Sequence, residues 1–255
     1  MIPWSLLDKA NVPGGGELRL MKRGAEFSIM LGGNQLMGSR VRGSEEALAT
    51  IACERIRARE QPRILIGGLG MGFTLRAALA SLGSGARITV AELVPAILEW
   101  ARGPMSEVFG DSLTDPRVTA RETDVGHVIR SGSSAFDAIL LDVDNGPDGL
   151  SRQANDALYD LAGLRAAFAA LRPGGVLAVW SAGPDAKFTE RLRNAGFGVD
   201  EVKVRANGSR GGARHVIWIA SRAAIPRPRA AAASGRAGSR VPAPRRSSPA
   251  SSRRK

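Results

Sequence analysis

The segment ILIGGLGMG at residues 64–72 sets three glycines, Gly68, Gly70 and Gly72, between an apolar run and a helical pattern. The apolar run is typical of a buried strand, and glycine lets the backbone turn sharply and approach a ligand closely. Free N–H groups at the start of the following helix carry partial positive charge. The segment therefore predicts a strand–turn–helix unit, which restricts the chain to folds built from such units.

Strands and helices alternate around this turn. Predicted strands cover residues 63–67, 87–93, 117–124, 136–144 and 176–182, and predicted helices cover residues 43–59, 73–83, 95–102, 156–171 and 185–194. This alternation predicts an α/β fold with a Rossmann-like, doubly wound, mostly parallel sheet. Two final strands near 199–205 and 214–221 are joined by a glycine-rich turn, so we expect a hairpin with an antiparallel last strand, in which an antiparallel edge strand closes the sheet.

The chain divides into three predicted regions. Short runs broken by glycine at residues 17–38 predict two or three strands, so residues 1–42 are assigned to a small N-terminal β-hairpin domain. Residues 43–221 are assigned to a Rossmann-like, nucleoside-binding catalytic domain, whose first helix we expect Ser44 to cap. Residues 222–255 form the third region.

Charge is concentrated in that third region. The 255-residue chain has a formal net charge of +12, but ten Lys and Arg and no acidic residue lie in residues 222–255, which leaves +2 for residues 1–221. This region is rich in Ala, Pro, Ser and Arg and lacks aromatic residues, so we predict a disordered basic tail. Such a tail can make weak, salt-sensitive contacts with nucleic acid. A uniformly basic nucleic-acid-binding domain is excluded.

Cysteine and histidine are too scarce for a metal centre. Cys53 is the single cysteine, and His127 and His215 are 88 positions apart. A disulfide framework and a multi-cysteine zinc site are therefore excluded, and we predict no metal. No run reaches the roughly 20 apolar residues of a membrane span, and the N-terminus does not read as a secretory signal. We expect a soluble, cytoplasmic protein with no membrane contact.

Glycine loops of this kind serve three ligand classes. A P-loop would need Gly-Lys-Ser/Thr, which is absent, and a dinucleotide fingerprint would have glycine where Phe73 stands. The remaining class is nucleosides with a sulfonium arm, such as S-adenosylmethionine. Glu92 ends the second predicted strand, where an acid can accept both ribose hydroxyls. Asp124 follows the third strand, where it could accept a hydrogen bond from an adenine amino group.

Asp142 directly follows the apolar strand FDAILL. A carboxylate at the carboxyl end of a central strand lies over the ligand crevice of an open sheet. The apolar wall beside it favours a raised pKa, which suits a base that takes a proton from an amine. The alternative is that Asp142 only caps the next turn. The run from Asp144 and Asn145 to residue 155 is expected to be a mobile loop over the site, with Tyr159 packed beneath it.

Together these residues resemble the spermidine synthases, polyamine aminopropyltransferases with an S-adenosylmethionine methyltransferase-like fold. The resemblance covers residues 17–221 and rests on LGGNQLMGSR, IGGLGMG, VAEL, FDAILLDVDNGP and DALYDLAGLRAAFAALRPGGVLAVW. It implies that Asp142 is the catalytic base, that Asp144, Asn145 and Tyr159 belong to the acceptor site and gate loop, and that the chain forms a homodimer. The residues implied to hold the donor are Gln35, Gly68, Gly70, Gly72, Glu92, Leu93 and Asp124.

The sequence departs from that family at several positions. The family's glycine loop carries an aspartate where Gly70 stands, so the amino end of the donor loses a partner, and the other departures lie on the acceptor side. The helix begins Gly43-Ser44-Glu45 where the family has a tyrosine, a His or Gln, and a glutamate, and Asn145 stands where the family has an aspartate. No tyrosine precedes the final strand, where Arg210 and Arg214 stand instead. Because a cationic acceptor favours surrounding carboxylates, we expect a divergent acceptor site.

Three functions remain open. The leading hypothesis is a spermidine synthase-like transferase of polyamine biosynthesis, which moves an aminopropyl group from decarboxylated S-adenosylmethionine to a small amine. The second is an S-adenosylmethionine-dependent methyltransferase, because the loop N–H groups can accommodate a donor carboxylate. The third is a non-catalytic nucleoside-binding protein with a basic tail.

Overall fold

The computed structural model of the protein describes residues 2–12, 15–143 and 157–224. The strands are β1 (Ser5–Asn11), β2 (Glu17–Arg23), β3 (Glu26–Leu31), β4 (Asn34–Gly38), β5 (Arg63–Gly67), β6 (Arg87–Glu92), β7 (Val118–Glu122), β8 (Phe136–Leu141), β9 (Leu171–Ser181), β10 (Gly198–Arg205) and β11 (Arg214–Ser221). The helices are α1 (Gly43–Arg55), α2 (Phe73–Ser81), α3 (Pro95–Arg102), α4 (Ser106–Phe109), α5 (Val125–Ser131), α6 (Leu161–Ala170) and α7 (Ala186–Asn194).

The N-terminal strands form an antiparallel sheet in the order β1-β2-β3-β4. Strands β2 and β3 bury alternate apolar residues, among them Leu18, Leu20, Phe27 and Ile29. Strand β1 was not predicted, because its residues are almost all exposed and show no buried face. It forms by pairing with β2, from Ser5 opposite Lys22 to Asn11 opposite Glu17.

The larger sheet has seven strands in the order β10-β11-β9-β8-β5-β6-β7. Strands β5 to β9 are parallel to their neighbours, while β11 runs antiparallel to both β9 and β10. The predicted α/β fold with a mostly parallel sheet and an antiparallel last strand is therefore confirmed. The last strand β11 has five buried residues in its centre and lies inside the sheet, while the more polar β10 takes the edge and runs antiparallel to it.

Each face of the large sheet has its own apolar core. Ile64 and Ile66 of β5 pack with α1, α2, α3 and the N-terminal sheet. Leu65 points the other way and packs with α5, α6 and α7. This alternation along one strand is what allows helices to cover both faces of a parallel sheet.

The connections reverse direction at β5. The chain passes from β5 to β6 and β7 on one side, and returns to β8 and β9 on the other. Ligands of open α/β sheets bind at the carboxyl ends of the strands that flank such a switch point. Here those ends carry the glycine turn after β5 and Asp142 after β8.

Three local details differ from the sequence-based expectations. Strand β9 begins at Leu171 rather than at 176, because Leu171 already pairs with Phe136. Ser44 does not cap α1: the N-cap position is Arg42, with no side-chain cap, and the Ser44 hydroxyl donates to Glu45 Oε2 at 2.8 Å. Arg222, the first residue of the predicted tail, donates its backbone N–H to the Gly175 carbonyl at 2.9 Å.

The expected loop from Asp144 to residue 155 and most of the predicted tail lie outside the described residues. Among the described helices, none combines the length and apolar character needed to cross a bilayer.

Helix α1 carries Glu45 in its first turn, and Leu48 of this helix is fully buried in the core. Truncation at Leu48 leaves a cavity, so Leu48→Ala is expected to lower the free energy of unfolding by about 2–5 kcal/mol. The exposed Thr50 on the same helix supplies the control, and Thr50→Ala should stay within about 0.5 kcal/mol of wild type. Urea denaturation measures both values. Equal decreases in the free energy of unfolding for Leu48→Ala and Thr50→Ala would contradict this packing of α1.

Candidate active site

The turn after β5 is shaped by glycines in left-handed conformation. Gly68, Gly70 and Gly72 have φ of 85°, 52° and 75°, which other residues adopt only with strain. A Cβ at Gly68 would lie 2.6 Å from the carbonyl oxygen of Asp142, so this glycine also permits the close approach of the turn to the end of β8. A Cβ at Gly70 would lie 3.2 Å from Met37 Sδ.

Glu92 is the polar centre of this region. It is buried, and its two carboxylate oxygens accept hydrogen bonds from the backbone N–H groups of Leu69 and Val94, each at 2.8 Å. Burial raises the pKa of Glu92, although backbone hydrogen bonds, including one from Gly70, oppose the rise. With a further backbone N–H from Leu93, four backbone donors face this carboxylate and fix its position between the two turns.

Asp124 occupies the N-cap position of α5. Its Oδ1 accepts a hydrogen bond from the His127 backbone N–H at 2.7 Å and lies 3.6 Å from an Arg130 nitrogen. The same residue lines a cavity together with Glu92 and Leu93. Asp124 therefore has a structural role as a helix cap and also faces the space in which the sequence predicts a nucleoside.

Asp142 lies where β8 ends, held against the glycine turn by its backbone N–H, which donates to the Gly67 carbonyl at 3.1 Å. Its Oδ2 accepts a hydrogen bond of 2.6 Å from the hydroxyl of Thr74, a buried residue in the first turn of α2. Burial raises the pKa of Asp142, and the Thr74 hydroxyl partly offsets this. Sequence reasoning did not find Thr74, because nothing in the pattern of α2 reveals what faces β8.

Glu45 is a second residue that sequence reasoning did not assign to the site. Burial and the nearby charge of Asp142 raise its pKa to about 7. Two carboxylates in one poorly solvated place do not both ionise readily, so the pair tends to hold a proton near neutral pH. The adjacent Glu46 points elsewhere and pairs with Arg42 at 3.2 Å.

Two cavities meet at Asp142. The first, called here the donor cavity, has a volume of about 150 Å³ and is lined by Gly68, Gly70, Glu92, Leu93, Asp124 and Asp142, besides apolar residues of the N-terminal sheet. The second, called the acceptor cavity, has a volume of about 390 Å³. Met37, Gly70 and Asp142 line both. A group that moves between bound molecules would therefore pass Asp142.

Of the remaining predicted residues that the structure describes, Gln35 alone lines a cavity. Gln35, which the resemblance implies for the donor, lines the acceptor cavity and is exposed. Gly72 lines neither cavity; it supports the turn, since its N–H donates to the Leu69 carbonyl at 2.8 Å. Tyr159 is buried, and its hydroxyl lies 3.5 Å from the Val143 carbonyl, directly before the undescribed loop. Asp144 and Asn145 lie outside the described residues.

All charged side chains among the described residues that line the donor and acceptor cavities are acidic. Glu45, Glu92, Asp124 and Asp142 are acidic, and among the described residues that line either cavity there is no lysine, arginine or histidine. An arrangement of this kind favours cationic ligands, because bound positive charge relieves the repulsion between carboxylates.

The fold defined by these two sheets is that of the spermidine synthases. A spermidine synthase from Thermotoga maritima superposes with a TM-score of 0.68 at 17% identity, over 86% of this chain and 74% of that one. A spermidine synthase in complex with the transition-state analogue AdoDATO gives 0.67 at 17% identity, over 86% and 73%. A probable spermidine synthase from Corynebacterium glutamicum gives 0.58 at 17% identity, over 85% and 79%.

In sequence, the chain is a distant homologue of the polyamine aminopropyltransferases. Those of Mycobacterium tuberculosis and Mycobacterium bovis are each 30% identical to it over 152 residues. The match covers 55% of this chain and only 28% of each relative, so the chain spans little more than a quarter of their length. No protein-family model matches the chain.

The burial of Glu45 beside Asp142 predicts a pH dependence of stability. The pKa of Glu45 rises from its ordinary 4.5 to about 7 on folding, so the stability it contributes is present below pH 4.5 and is lost as the pH rises through 7. Above pH 7, Glu45→Gln should therefore be more stable than wild type by about 2 kcal/mol, a figure that allows for partial exposure. Urea denaturation between pH 5 and 8 measures this difference.

Glu46→Gln serves as the control, because Glu46 is the next residue on the same helix and is paired with Arg42. The difference in free energy of unfolding between Glu46→Gln and wild type should not change comparably with pH. If the free energies of unfolding of wild type and Glu45→Gln change with pH in parallel, this would contradict the burial of Glu45 near the Asp142 carboxylate.

Proposed function

We propose that the protein transfers an aminopropyl group from decarboxylated S-adenosylmethionine to an amine. The observation that carries this proposal is the acid-only lining of two cavities that meet at Asp142. The donor brings a sulfonium and an ammonium group, and the acceptor brings a second amine. Four carboxylates suit these cations, and distant homology to polyamine aminopropyltransferases supports the same reaction.

The hydrogen bonds made by the backbone N–H groups of the glycine turn favour the decarboxylated donor over S-adenosylmethionine itself. The N–H groups of Leu69 and Gly70 face the Glu92 carboxylate, and that of Gly68 donates to the Ala91 carbonyl at 2.9 Å. These amides are therefore engaged within the protein rather than available for a donor carboxylate. A carboxylated donor would also place its negative charge among acidic side chains, at an electrostatic cost.

In this proposal Glu92 accepts hydrogen bonds from the ribose hydroxyls and Asp124 lies beside the base. The donor supplies a carbon activated by positively charged sulfur. The acceptor nitrogen forms a bond to that carbon while the carbon–sulfur bond breaks, and its electron pair passes to sulfur to leave a neutral thioether. The proton lost by nitrogen goes to the Asp142 carboxylate. Positioning of the two molecules on either side of Asp142 provides most of the acceleration.

Thr74 and Glu45 adjust the base. The Thr74 hydroxyl stabilises the ionised form of Asp142, whereas burial disfavours it, and Asp142 in turn raises the pKa of Glu45. A base whose pKa approaches the working pH is both ionised and able to accept a proton. The amine enters as an ammonium ion, and the carboxylate pair is suited to take up its proton before attack.

The donor preference separates aminopropyl transfer from methyl transfer. Isothermal titration calorimetry of the purified protein should give a Kd for decarboxylated S-adenosylmethionine at least about tenfold lower than for S-adenosylmethionine, because of the added carboxylate. The neutral product methylthioadenosine should also bind. Tighter binding of the carboxylated donor would favour the methyltransferase alternative, and absence of binding by all three compounds would contradict both enzymatic hypotheses.

Asp142→Asn tests catalysis apart from binding. An amide keeps the shape of the side chain and still accepts the Thr74 hydroxyl, but it cannot act as a base. We expect formation of methylthioadenosine to fall by about 100-fold or more, with methylthioadenosine affinity within about threefold of wild type. Turnover that is unchanged in this variant would exclude Asp142 as the base, whereas the absence of turnover in both wild type and variant would favour a non-catalytic nucleoside-binding role.

A further inference from the structure

We propose that Met37 determines which chain the protein transfers, because its thioether narrows the boundary between the donor and acceptor cavities to the width of an unbranched chain. This inference rests on the proposed function and assigns to it a specificity-determining residue. It follows from the strand that carries Met37, from the position of its side chain beside Gly70, and from the place that the transferred group must occupy.

A β-bulge directs two consecutive side chains of β4 to the cavities. Neighbouring residues of β3 pair with Gln35 and Met37, so Leu36 between them is an extra residue in β4. In a regular strand the side chains of Leu36 and Met37 would point to opposite faces of the sheet. Here both residues line the donor cavity and the acceptor cavity. β-Bulges often redirect a side chain toward a site in this way.

The Met37 side chain lies against the glycine turn. A Cβ at Gly70 would be 3.2 Å from Met37 Sδ and 3.8 Å from its Cε, so the thioether occupies the space beside the Gly70 backbone. Gly70 has a φ of 52°, in the left-handed region that favours glycine. Glycine at this position therefore serves the turn and also lets the thioether come this close to it.

Two groups of residues border both cavities. The N-terminal sheet contributes Leu31, Leu36 and Met37. The segments that follow β5 and β8 contribute Gly70 and Asp142. A chain that extends from one cavity into the other therefore passes between apolar side chains and the proposed base.

The transferred group must occupy this boundary. In the proposed reaction the acceptor nitrogen forms a bond to the donor carbon while the carbon–sulfur bond breaks, its electron pair stays on sulfur, and the nitrogen proton goes to Asp142. Attack is in line, so nitrogen and sulfur lie on opposite sides of that carbon. The carbon and the chain attached to it are thus held at the boundary, beside Met37.

Packing limits the width of the boundary. Met37 is half-buried and packs against the apolar core that includes Ile29, Leu69 and Met71. Groups packed at the density of a protein interior do not accept an added methyl group without displacement. An unbranched arm can lie along the thioether, whereas a branched arm would have to push it away. We therefore expect Met37 to select against branching.

The test compares decarboxylated S-adenosylmethionine with an analogue that carries a methyl branch on the middle carbon of the aminopropyl arm. Both donors release methylthioadenosine, which mass spectrometry measures with a fixed mixture of butylamine and diaminobutane as acceptors. The selectivity is the ratio of kcat/KM for the unbranched donor to that for the branched donor. Met37→Ala should lower this ratio by about tenfold or more relative to wild type. An unchanged ratio would overturn the proposal.

The ratio isolates selectivity from other effects of a substitution. A loss of folded protein changes both kcat/KM values equally, and the lower intrinsic reactivity of a branched arm is the same in every variant. Met37→Val retains a side chain suited to a strand and should lower the ratio by about threefold, so it replaces Met37→Ala if that variant does not fold.

Met30→Ala is the matched control, because Met30 is a half-buried methionine of the neighbouring strand β3 and lines neither cavity. Its ratio should stay within about threefold of wild type. Met37→Leu nearly conserves volume and should also stay within about threefold. An equal decrease in Met30→Ala and Met37→Ala would attribute the effect to the N-terminal sheet as a whole and contradict the assignment of Met37.

Gly70→Ala tests the same contact from the side of the turn. The added Cβ would displace the Met37 thioether toward the cavities, so the ratio should rise by about threefold or more. In the double variant with Met37→Ala there is no thioether to displace, and the ratio should equal that of Met37→Ala alone. A rise of the same size in the presence and absence of Met37 would show that Gly70 acts without it and would overturn the proposal.

Calorimetry of the two donors without an amine separates this inference from the proposed function. We expect wild type to bind the unbranched donor with a Kd about tenfold lower than the branched donor, and Met37→Ala to lose this difference. That result without any turnover would refute aminopropyl transfer and retain the selection of the arm by Met37. Turnover with equal selectivity in wild type and Met37→Ala would retain the transfer and overturn the inference. Absence of binding by both donors would overturn both.

Discussion

The candidate site depends on the contact between the Glu92 carboxylate and the backbone of the glycine turn. This single side chain receives N–H groups from the turn after β5 and from the turn after β6, and so joins the two segments that form the floor of the donor cavity. The turn itself needs glycine at Gly68, because φ is positive there and a side chain would press against the Asp142 backbone. The glycine turn therefore also determines which backbone N–H groups bind within the protein and which could contact a ligand.

The second organising constraint is electrostatic. The protein gathers four acids around two adjoining cavities without a cation in the described lining, and such an arrangement is costly while it is empty of positive charge. Part of the cost is relieved by protonation, since the pKa of Glu45 rises to about 7 and that of Asp142 also rises. Cationic ligands would relieve the rest. Affinity for cations and readiness to accept a proton thus have one physical origin.

The acceptor side departs from the expectation drawn from sequence. Asn145 and the missing tyrosine indicated a cavity poor in carboxylates, whereas the fold supplies Glu45 from the first turn of α1 and sets it against Asp142. Glu45 and Glu46 both lie in the first turn of α1, and the sequence does not show which of the two faces the site. Helix periodicity identifies the buried face of α1 but contains no information on which loop that face meets.

The sequence by itself determined the alternation of strands and helices, the glycine turn, and the acids Glu92, Asp124 and Asp142 at successive strand ends, because each of these is a local pattern of a few residues. Only the tertiary structure decided the pairing of β1 with β2, the interior position of β11, and the meeting of Glu45, Thr74, Asp142 and Trp180 at one end of the sheet. These four residues are distant in the chain. Their proximity follows from strand order and helix packing, which depend on the burial of whole faces and which no local spacing encodes.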